Sequence, residues 1–257
     1  MHRRDLGEDV GKRFSRFRLL CGELSHIFLS TLFFKQCPGC GVDLVYRREQ
    51  ALCLDCQQKL VPDSQFPGYA CGVCGRFVSN ETGICGECLL NPPIYSKHMS
   101  YHAYQDLFRD LILKYKYWGN ERLKYYFVQC LERVYKNEFS HVKHFDYLIP
   151  MPSDPGHRRS YDHILEIAKL LSKQIQVPLL TGALVKIKKT APQAGLSRAK
   201  RLINLDNAFA FKKKISLSHK KVLFIDDIYT TGTTISKCTQ VLQEKGAEVY
   251  AITLARS

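Results

Sequence analysis

The chain has 257 residues, near the upper end of what one domain holds, so a small module beside a larger one of ordinary size is expected. Apolar residues make up 45% and charged residues 24%, a balance that excludes collagen-like, coiled-coil and wholly disordered chains. The formal charge is +14 and cysteine occurs eleven times, but the two features separate: residues 1–36 carry +3, residues 37–91 carry −2 and residues 92–257 carry +13. Of that last excess, +11 lies between residues 151 and 221.

The first predicted element is an amphipathic helix within residues 1–36, where Leu19, Leu20, Leu24, Ile27, Phe28 and Leu32 recur at helical spacing. Its longest apolar run, Ile27 to Phe34, contains Ser30 and Thr31 and falls far short of the roughly 18 residues of a membrane span. Acids at Asp5, Glu8 and Asp9 interrupt the basic start and no small-residue cleavage site comes after the apolar run, so no signal peptide is expected and the location reads as cytoplasmic.

A cysteine module is next, over residues 37–91. Eight of the eleven cysteines form four C-x-x-C pairs, Cys37/Cys40, Cys53/Cys56, Cys71/Cys74 and Cys85/Cys88, separated by 12, 14 and 10 residues. Such a knuckle offers two thiolates on one tight turn, each able to reach a tetrahedral zinc at about 2.3 Å, and two knuckles close a site. Sequential pairing gives two four-cysteine zinc sites; pairing first with third and second with fourth is the open alternative. Disulfides suit an exported chain, and iron–sulfur ligation favours tighter clustering of three or more cysteines, so structural zinc is the expected occupant. All-thiolate sites leave no open coordination position, which assigns them to structure, and each adds a formal −2.

Asn91-Pro92-Pro93 closes the module, because consecutive prolines impose an extended turn, and the larger domain is predicted to run from 92 to 257. Within it, the apolar stripes 107–115, 123–134, 164–175 and 235–242 predict helices. Strands are predicted at Phe145 to Pro150, Lys221 to Ile225 and Val249 to Leu254. Alternation of this kind predicts an α/β fold with a parallel sheet, whose ligands bind at the carboxyl ends of the strands.

The chemical signal is strongest over Val222-Leu223-Phe224-Ile225-Asp226-Asp227-Ile228-Tyr229-Thr230-Thr231-Gly232-Thr233-Thr234. An apolar strand delivers two adjacent carboxylates, and a hydroxyl-rich turn with one glycine then opens a helix. Free backbone N–H groups, threonine hydroxyls and a helix dipole at one point suit a phosphate, while carboxylates beside them suit vicinal sugar hydroxyls or Mg²⁺. The matching ligand is a ribose 5-phosphate. Neither a G-x-x-x-x-G-K-[ST] loop nor a G-x-G-x-x-G turn after a strand is present.

This motif resembles the PRPP-binding signature of type I phosphoribosyltransferases. Tyr147-Leu148-Ile149-Pro150-Met151-Pro152 with Arg158-Arg159 is similar to the pyrophosphate-loop region. Thr190-Ala191-Pro192-Gln193 with Leu196-Ser197, Arg201, Asn204, Ala208 and Phe209 is similar to the segment holding the flexible loop. Together with the C-x-x-C module and Leu113-Lys114-Tyr115 before Gly119, the chain resembles the ComF/GntX family from about Cys37 onward. The resemblance implies a type I phosphoribosyltransferase fold behind a small zinc-ribbon-like module, and displacement of pyrophosphate from PRPP with Mg²⁺ neutralising the leaving group. It implies Asp226 and Asp227 on the ribose hydroxyls and Mg²⁺, with Thr230, Thr231, Gly232, Thr233 and Thr234 on the 5-phosphate. Ser153, Gly156 and Arg158 would face pyrophosphate, and Lys188, Arg198 and Arg201 would close from the loop. One departure is present: where family members commonly read Arg-Gly-Phe-Asn-Gln, this chain has Arg159-Ser160-Tyr161-Asp162-His163.

The positive charge has two claimants. Preorganised cations stabilise charge developing on pyrophosphate. Lys114-Tyr115-Lys116-Tyr117-Trp118 alternates bases with aromatics, which suits single-stranded DNA, and the resemblance adds a link to natural competence and DNA-uptake proteins. A non-catalytic single-strand-binding or scaffold role that retains the fold is therefore the alternative. Tyr115 lies on the apolar stripe and is expected in the core. Acceptor recognition is expected from the cysteine module and residues 95–125, since little chain lies beyond the last strand.

Overall fold

The computed structural model describes residues 35–44, 50–61, 69–78, 83–154, 161–190 and 203–257. The expected helix of the first 36 residues therefore lies outside the described residues, apart from Lys35–Gln36, which form strand β1.

The cysteine region is built twice on one plan. In the first unit β1 pairs antiparallel with β2 (Asp43–Leu44), and helix α1 (Leu54–Lys59) starts at Cys53. In the second, β3 (Tyr69–Ala70) pairs with β4 (Phe77–Val78), and α2 (Gly86–Leu90) starts at Cys85. Each hairpin tip turns through a left-handed glycine, Gly41 at φ 79° and Gly75 at φ 70°, whose N–H reaches back to the carbonyl of Cys37 or Cys71 at 2.8 Å. The first unit shares its apolar core with the larger domain: Cys37, Leu44, Leu52, Cys56 and Leu60 are buried with Phe108, Leu111 and Phe127. Lys114 ties the same interface by donating to the Pro38 carbonyl at 2.5 Å.

The remainder is α/β, as expected. Strand β5 (Lys97–Ala103) leads through α3 (Asp106–Tyr117) and α4 (Leu123–Glu138) to β6 (Tyr147–Pro150) and then α5 (His163–Ile175). A short antiparallel pair, β7 (Leu184–Lys186) and β8 (Phe209–Phe211), precedes β9 (Lys221–Tyr229), α6 (Thr233–Gln243) and β10 (Glu248–Arg256). Four strands form one parallel sheet in the order β5-β10-β9-β6. Strand β9 is central and loses both faces to packing, so its residues read as an unbroken apolar run. The pleat divides that run: Leu223 and Ile225 join the core under α3, α4 and α5, whereas Val222 and Phe224 join Ile235, Cys238 and Leu242 of α6.

Besides the short hairpin strands β1–β4, β7 and β8, which were not predicted, two strands of the parallel sheet differ from expectation. Strand β5 carries little apolar signal in the sequence, because only Met99 and Tyr101 supply its apolar face, while His98 on the other is polar yet fully buried. Strand β9 also runs four residues past Ile225, because β10 goes on pairing beside it, Ile228 with Ala255 and Tyr229 with Arg256. On its other side β6 stops, with Pro150 opposite Ile225 and Met151 N–H donating to the Ile225 carbonyl at 2.8 Å. The two acids thus stand where the sheet has lost one neighbour and a crevice opens.

Candidate functional site

Asp226 and Asp227 form the floor of a cleft of about 300 Å³, walled by Lys116 and Tyr117 of α3, Ser153 and Asp154 after β6, Tyr161 and His163 at the start of α5, and Lys186 of β7. Asp226 is 9% exposed and its Oδ1 accepts the Asp227 N–H at 2.8 Å. Asp227 turns to the cleft wall, where Lys116 Nζ forms an ion pair with Oδ2 and His163 Nε2 reaches the same oxygen at 3.0 Å. Beside them Lys186 Nζ pairs with Asp154 at 2.6 Å, its side chain only 8% exposed.

These partners split the two carboxyls. Burial raises the pKa of Asp226, and the neighbouring Asp227 charge raises it further. Burial would raise Asp227 as well, but the Lys116 charge and the His163 hydrogen bond outweigh it and hold the group well below the usual carboxylate range. Lys116 responds in kind: burial disfavours its charge, and Asp227 more than compensates, raising its pKa. Two acids side by side are favoured as one protonated and one charged.

Immediately downstream the chain turns at Gly232, which caps α6 in the left-handed conformation at φ 73°. A Cβ there would press on the Tyr229 hydroxyl and lie 2.9 Å from its Cζ, so both backbone and space demand glycine. Ser236 N–H donates to the Gly232 carbonyl at 2.8 Å to close the first helical turn, and the Thr231 and Thr233 hydroxyls meet at 2.8 Å. The positive end of the α6 dipole is therefore aimed at the hydroxyl-rich turn.

The predicted residues fall into three sets. Asp226, Asp227 and Ser153 line the cleft, while Thr230, Thr231, Gly232, Thr233 and Thr234 follow β9 in the chain as the turn and start of α6, Thr230 and Thr231 lining a second cavity of about 340 Å³ with Tyr95 and Arg256. Lys188 is exposed, its Nζ 3.5 Å from the Asp206 carbonyl. Gly156, Arg158, Arg198 and Arg201 lie outside the described residues. Sequence reasoning missed Lys116, His163 and Lys186. Lys116 was hidden in the basic–aromatic run, of which Tyr115 is core at 2% exposure, as expected. His163 belongs to the segment that departs from the family pattern, where Asp162 also caps α5 by accepting the Leu165 N–H at 3.0 Å.

The cysteines assemble in sequential pairs. The sulfurs of Cys37, Cys40, Cys53 and Cys56 lie within 4.8 Å of one another, and so do those of Cys71, Cys74, Cys85 and Cys88. The Cys40–Cys53 and Cys74–Cys85 sulfurs are 3.6 and 3.7 Å apart. A metal at about 2.3 Å from four tetrahedral thiolates sets that edge at about 3.8 Å. Backbone N–H groups point at the sulfurs, Cys53 to Cys37 at 3.4 Å and Cys85 to Cys71 at 3.3 Å. Burial raises the Cys71 thiol, and such N–H donors overcome it, bringing the group to about 6. Both groups can hold metal ions.

No protein-family model matches the chain. It is 28% identical to competence protein F of Haemophilus influenzae over 230 residues, 86% of this chain and 96% of that one. It is 24% identical to competence protein ComFC of Bacillus subtilis, over 81% and 85% of the two chains. The chain is a ComF/ComFC homologue. DNA utilization protein YhgH of Escherichia coli shares 25% identity over 71% of this chain and 81% of its own. Among solved structures, an adenine phosphoribosyltransferase is 15% identical over 53% of this chain and 73% of that one, with a TM-score of 0.36. No helix among the described residues is long and apolar enough to cross a membrane.

In this ComF/ComFC homologue the second cysteine unit is wired to the threonine turn. His98 sits between them, its Nδ1 3.0 Å from the Cys74 carbonyl and its Nε2 3.0 Å from the Thr253 hydroxyl. A carbonyl only accepts, so Nδ1 carries the proton and Nε2 is the acceptor, facing the linked hydroxyls of Thr253 and Ser100. Burial pushes His98 down to about 3, which keeps this neutral arrangement. The His98 ring stacks on Tyr229 at 4.1 Å, Arg256 lies 4.4 Å from the Tyr229 ring, and Arg256 also donates to the Cys74 carbonyl. Tyr229 in turn meets the Tyr95 hydroxyl at 2.9 Å and fixes the space that Gly232 occupies.

Proposed function

We propose that this ComF/ComFC homologue binds PRPP or a related phosphoribosyl ligand in the acid-lined cleft, and that it transfers phosphoribose to an acceptor in the service of DNA uptake. One observation carries the reading: a central parallel strand ends in Asp226-Asp227 where its neighbour β6 has stopped, and leads directly into a glycine-capped threonine turn at the start of α6. Ligands of open parallel sheets bind in such a crevice. Asp226 and Asp227 would take the ribose hydroxyls and Thr230 to Thr234 the 5-phosphate. Ser153, Gly156 and Arg158 would take the pyrophosphate, with Lys188, Arg198 and Arg201 contributing from the segment after β7. A magnesium accompanying PRPP would be held chiefly by the ligand's own pyrophosphate rather than by Asp226 and Asp227 as the resemblance implies, since Lys116 and His163 already engage Asp227 Oδ2. The two four-cysteine groups are read as structural zinc sites, their thiolate donors and tetrahedral edges fitting that ion.

Calorimetry with PRPP and Mg²⁺ tests the proposal. The wild type should bind and Asp226→Ala/Asp227→Ala should not; absence of binding by the wild type would sink it.

A second reading is favoured by Tyr117 and Trp118, which are 58% and 71% exposed at the end of α3 beside basic residues. Exposed aromatics of this kind stack bases. A single-strand-binding or scaffold role makes DNA affinity fall steeply with salt, weaken on Trp118→Ala, and persist in the aspartate double variant.

A further inference from the structure

Magnesium is the cation that the fold family pairs with an acid pair of this kind, and the donor set at Asp227 does not fit it. Lys116 Nζ and His163 Nε2 both converge on Asp227 Oδ2, and Asp226 Oδ1 is engaged by the Asp227 N–H. Side-chain exposure is 16% for Lys116 and 14% for Asp227, so the pair is largely shielded from water.

Lys116 is held there rather than merely resting there. The preceding residue, Tyr115, is buried against Phe127 and donates its hydroxyl to the His163 carbonyl at 2.8 Å. The helix that carries the lysine and the residue that shares its carboxylate are thereby locked together. Two residues back, toward the first cysteine unit, Lys114 anchors α3 to the Pro38 carbonyl. Neither contact leaves α3 free to swing the ammonium away as an exposed lysine would.

We propose that Lys116 is the resident cation of the acid pair, replacing a protein-bound divalent metal, so that the site receives the ribose 5-phosphate part of its ligand without Mg²⁺. The inference rests on the reading of the cleft as a phosphoribosyl site. Its charge logic is simple: the Lys116 ammonium and His163 already sit on Asp227 Oδ2 and the Asp227 N–H on Asp226 Oδ1, so one oxygen of each carboxyl is engaged by the chain's own donors before any dication arrives. The ammonium faces the same cleft as Ser153 and Lys186, where a ligand's anionic groups would lie. Lys116 is a positioning residue for Asp227, whose Oδ2 it fixes at the cleft wall together with His163.

The test has two arms on the full chain, in magnesium-free buffer without chelator so that the cysteine sites keep their metal. In the first, Mn²⁺ is titrated and followed by its paramagnetic resonance. Wild type should take up none, Lys116→Met should gain one ion per chain, and Lys116→Met/Asp227→Asn should lose it. Mn²⁺ bound by wild type and released on Asp227→Asn would overturn the proposal, and that arm needs neither a lysine variant nor an organic ligand. In the second, ribose 5-phosphate, which has no pyrophosphate to carry a metal, is titrated with and without Mg²⁺. Wild-type affinity should change by less than about twofold, whereas Lys116→Gln should bind weakly and recover about tenfold on adding Mg²⁺, a coupling of ordinary size. A wild type that binds only with Mg²⁺ would overturn the proposal. No binding of ribose 5-phosphate under either condition would strike the phosphoribosyl reading, with the Mn²⁺ arm still deciding the role of Lys116.

Discussion

Replacing Gly232 by alanine probes how tightly the turn is built. The residue sits at φ 73°, where an L side chain costs roughly 1–2 kcal/mol. The added Cβ would also lie 2.9 Å from Tyr229 Cζ and press on the hydroxyl, forcing the ring to move. That ring holds a 2.9 Å hydrogen bond to Tyr95, worth about 1 kcal/mol net. Together these give a loss of roughly 2–3 kcal/mol, and at about 2–4 °C per kcal/mol for a chain of this size the melting temperature should fall by roughly 4–12 °C. Thermal unfolding monitored by circular dichroism measures it. On a Tyr229→Phe background the hydroxyl is gone, so Gly232→Ala should cost about 1 kcal/mol less there, a coupling expected of residues in contact. An alanine variant that melts with the wild type, or an undiminished cost in the Tyr229→Phe background, would refute the packing argument. Ligand affinity should fall in Gly232→Ala even where the protein remains folded, because the turn must open to make room.

The same geometry sets two further outcomes. Asp226→Asn keeps the acceptor for the Asp227 N–H while removing a buried acid whose pKa is raised in the folded state. A raised carboxyl binds more protons folded than unfolded, so its contribution is fully present below the ordinary value near 3.8 and is lost as pH rises toward the folded value. The variant should therefore be the more stable at neutral pH, by about 1–3 kcal/mol, and the gain should vanish near pH 3, read from denaturant melts across pH. A gain that is flat with pH would show that Asp226 is not the strained group. For the cysteine units, elemental analysis should find about two zinc ions per chain. Because Cys37 and Cys56 lie in the same core as Phe108 and Phe127, chelation should lower the melting temperature of the whole protein and not of a detached module. Visible charge-transfer absorption with acid-labile sulfide would overturn the assignment to zinc.

Features that depend on local pattern were legible in the sequence. The four C-x-x-C pairs picked out the cysteines that cluster, since a knuckle places its two sulfurs by turn geometry alone, while the choice of which knuckles join is made by tertiary packing. The central strand was visible because burial on both faces leaves an unbroken apolar run ending in two acids. Partners brought together by tertiary packing were not legible. Lys116 reaches Asp227 across a separation of 111 residues, and nothing in a run of alternating lysine and aromatic residues says which lysine turns inward. His163 looked like a departure from the family pattern and proves to be a hydrogen-bond partner of the acid it faces. Strand β5 was concealed because its buried polar residue, His98, is satisfied by a cysteine carbonyl and a threonine hydroxyl far away in sequence.

The most direct measurement is a crystal structure of the full chain soaked with PRPP and Mg²⁺. The 5-phosphate is expected on the Thr230 to Thr234 turn at the start of α6, the ribose hydroxyls on Asp226 and Asp227, and Lys116 still paired with Asp227. Density for the phosphate elsewhere on the basic surface, with the turn and the acid pair untouched, would contradict a phosphoribosyl site in this cleft.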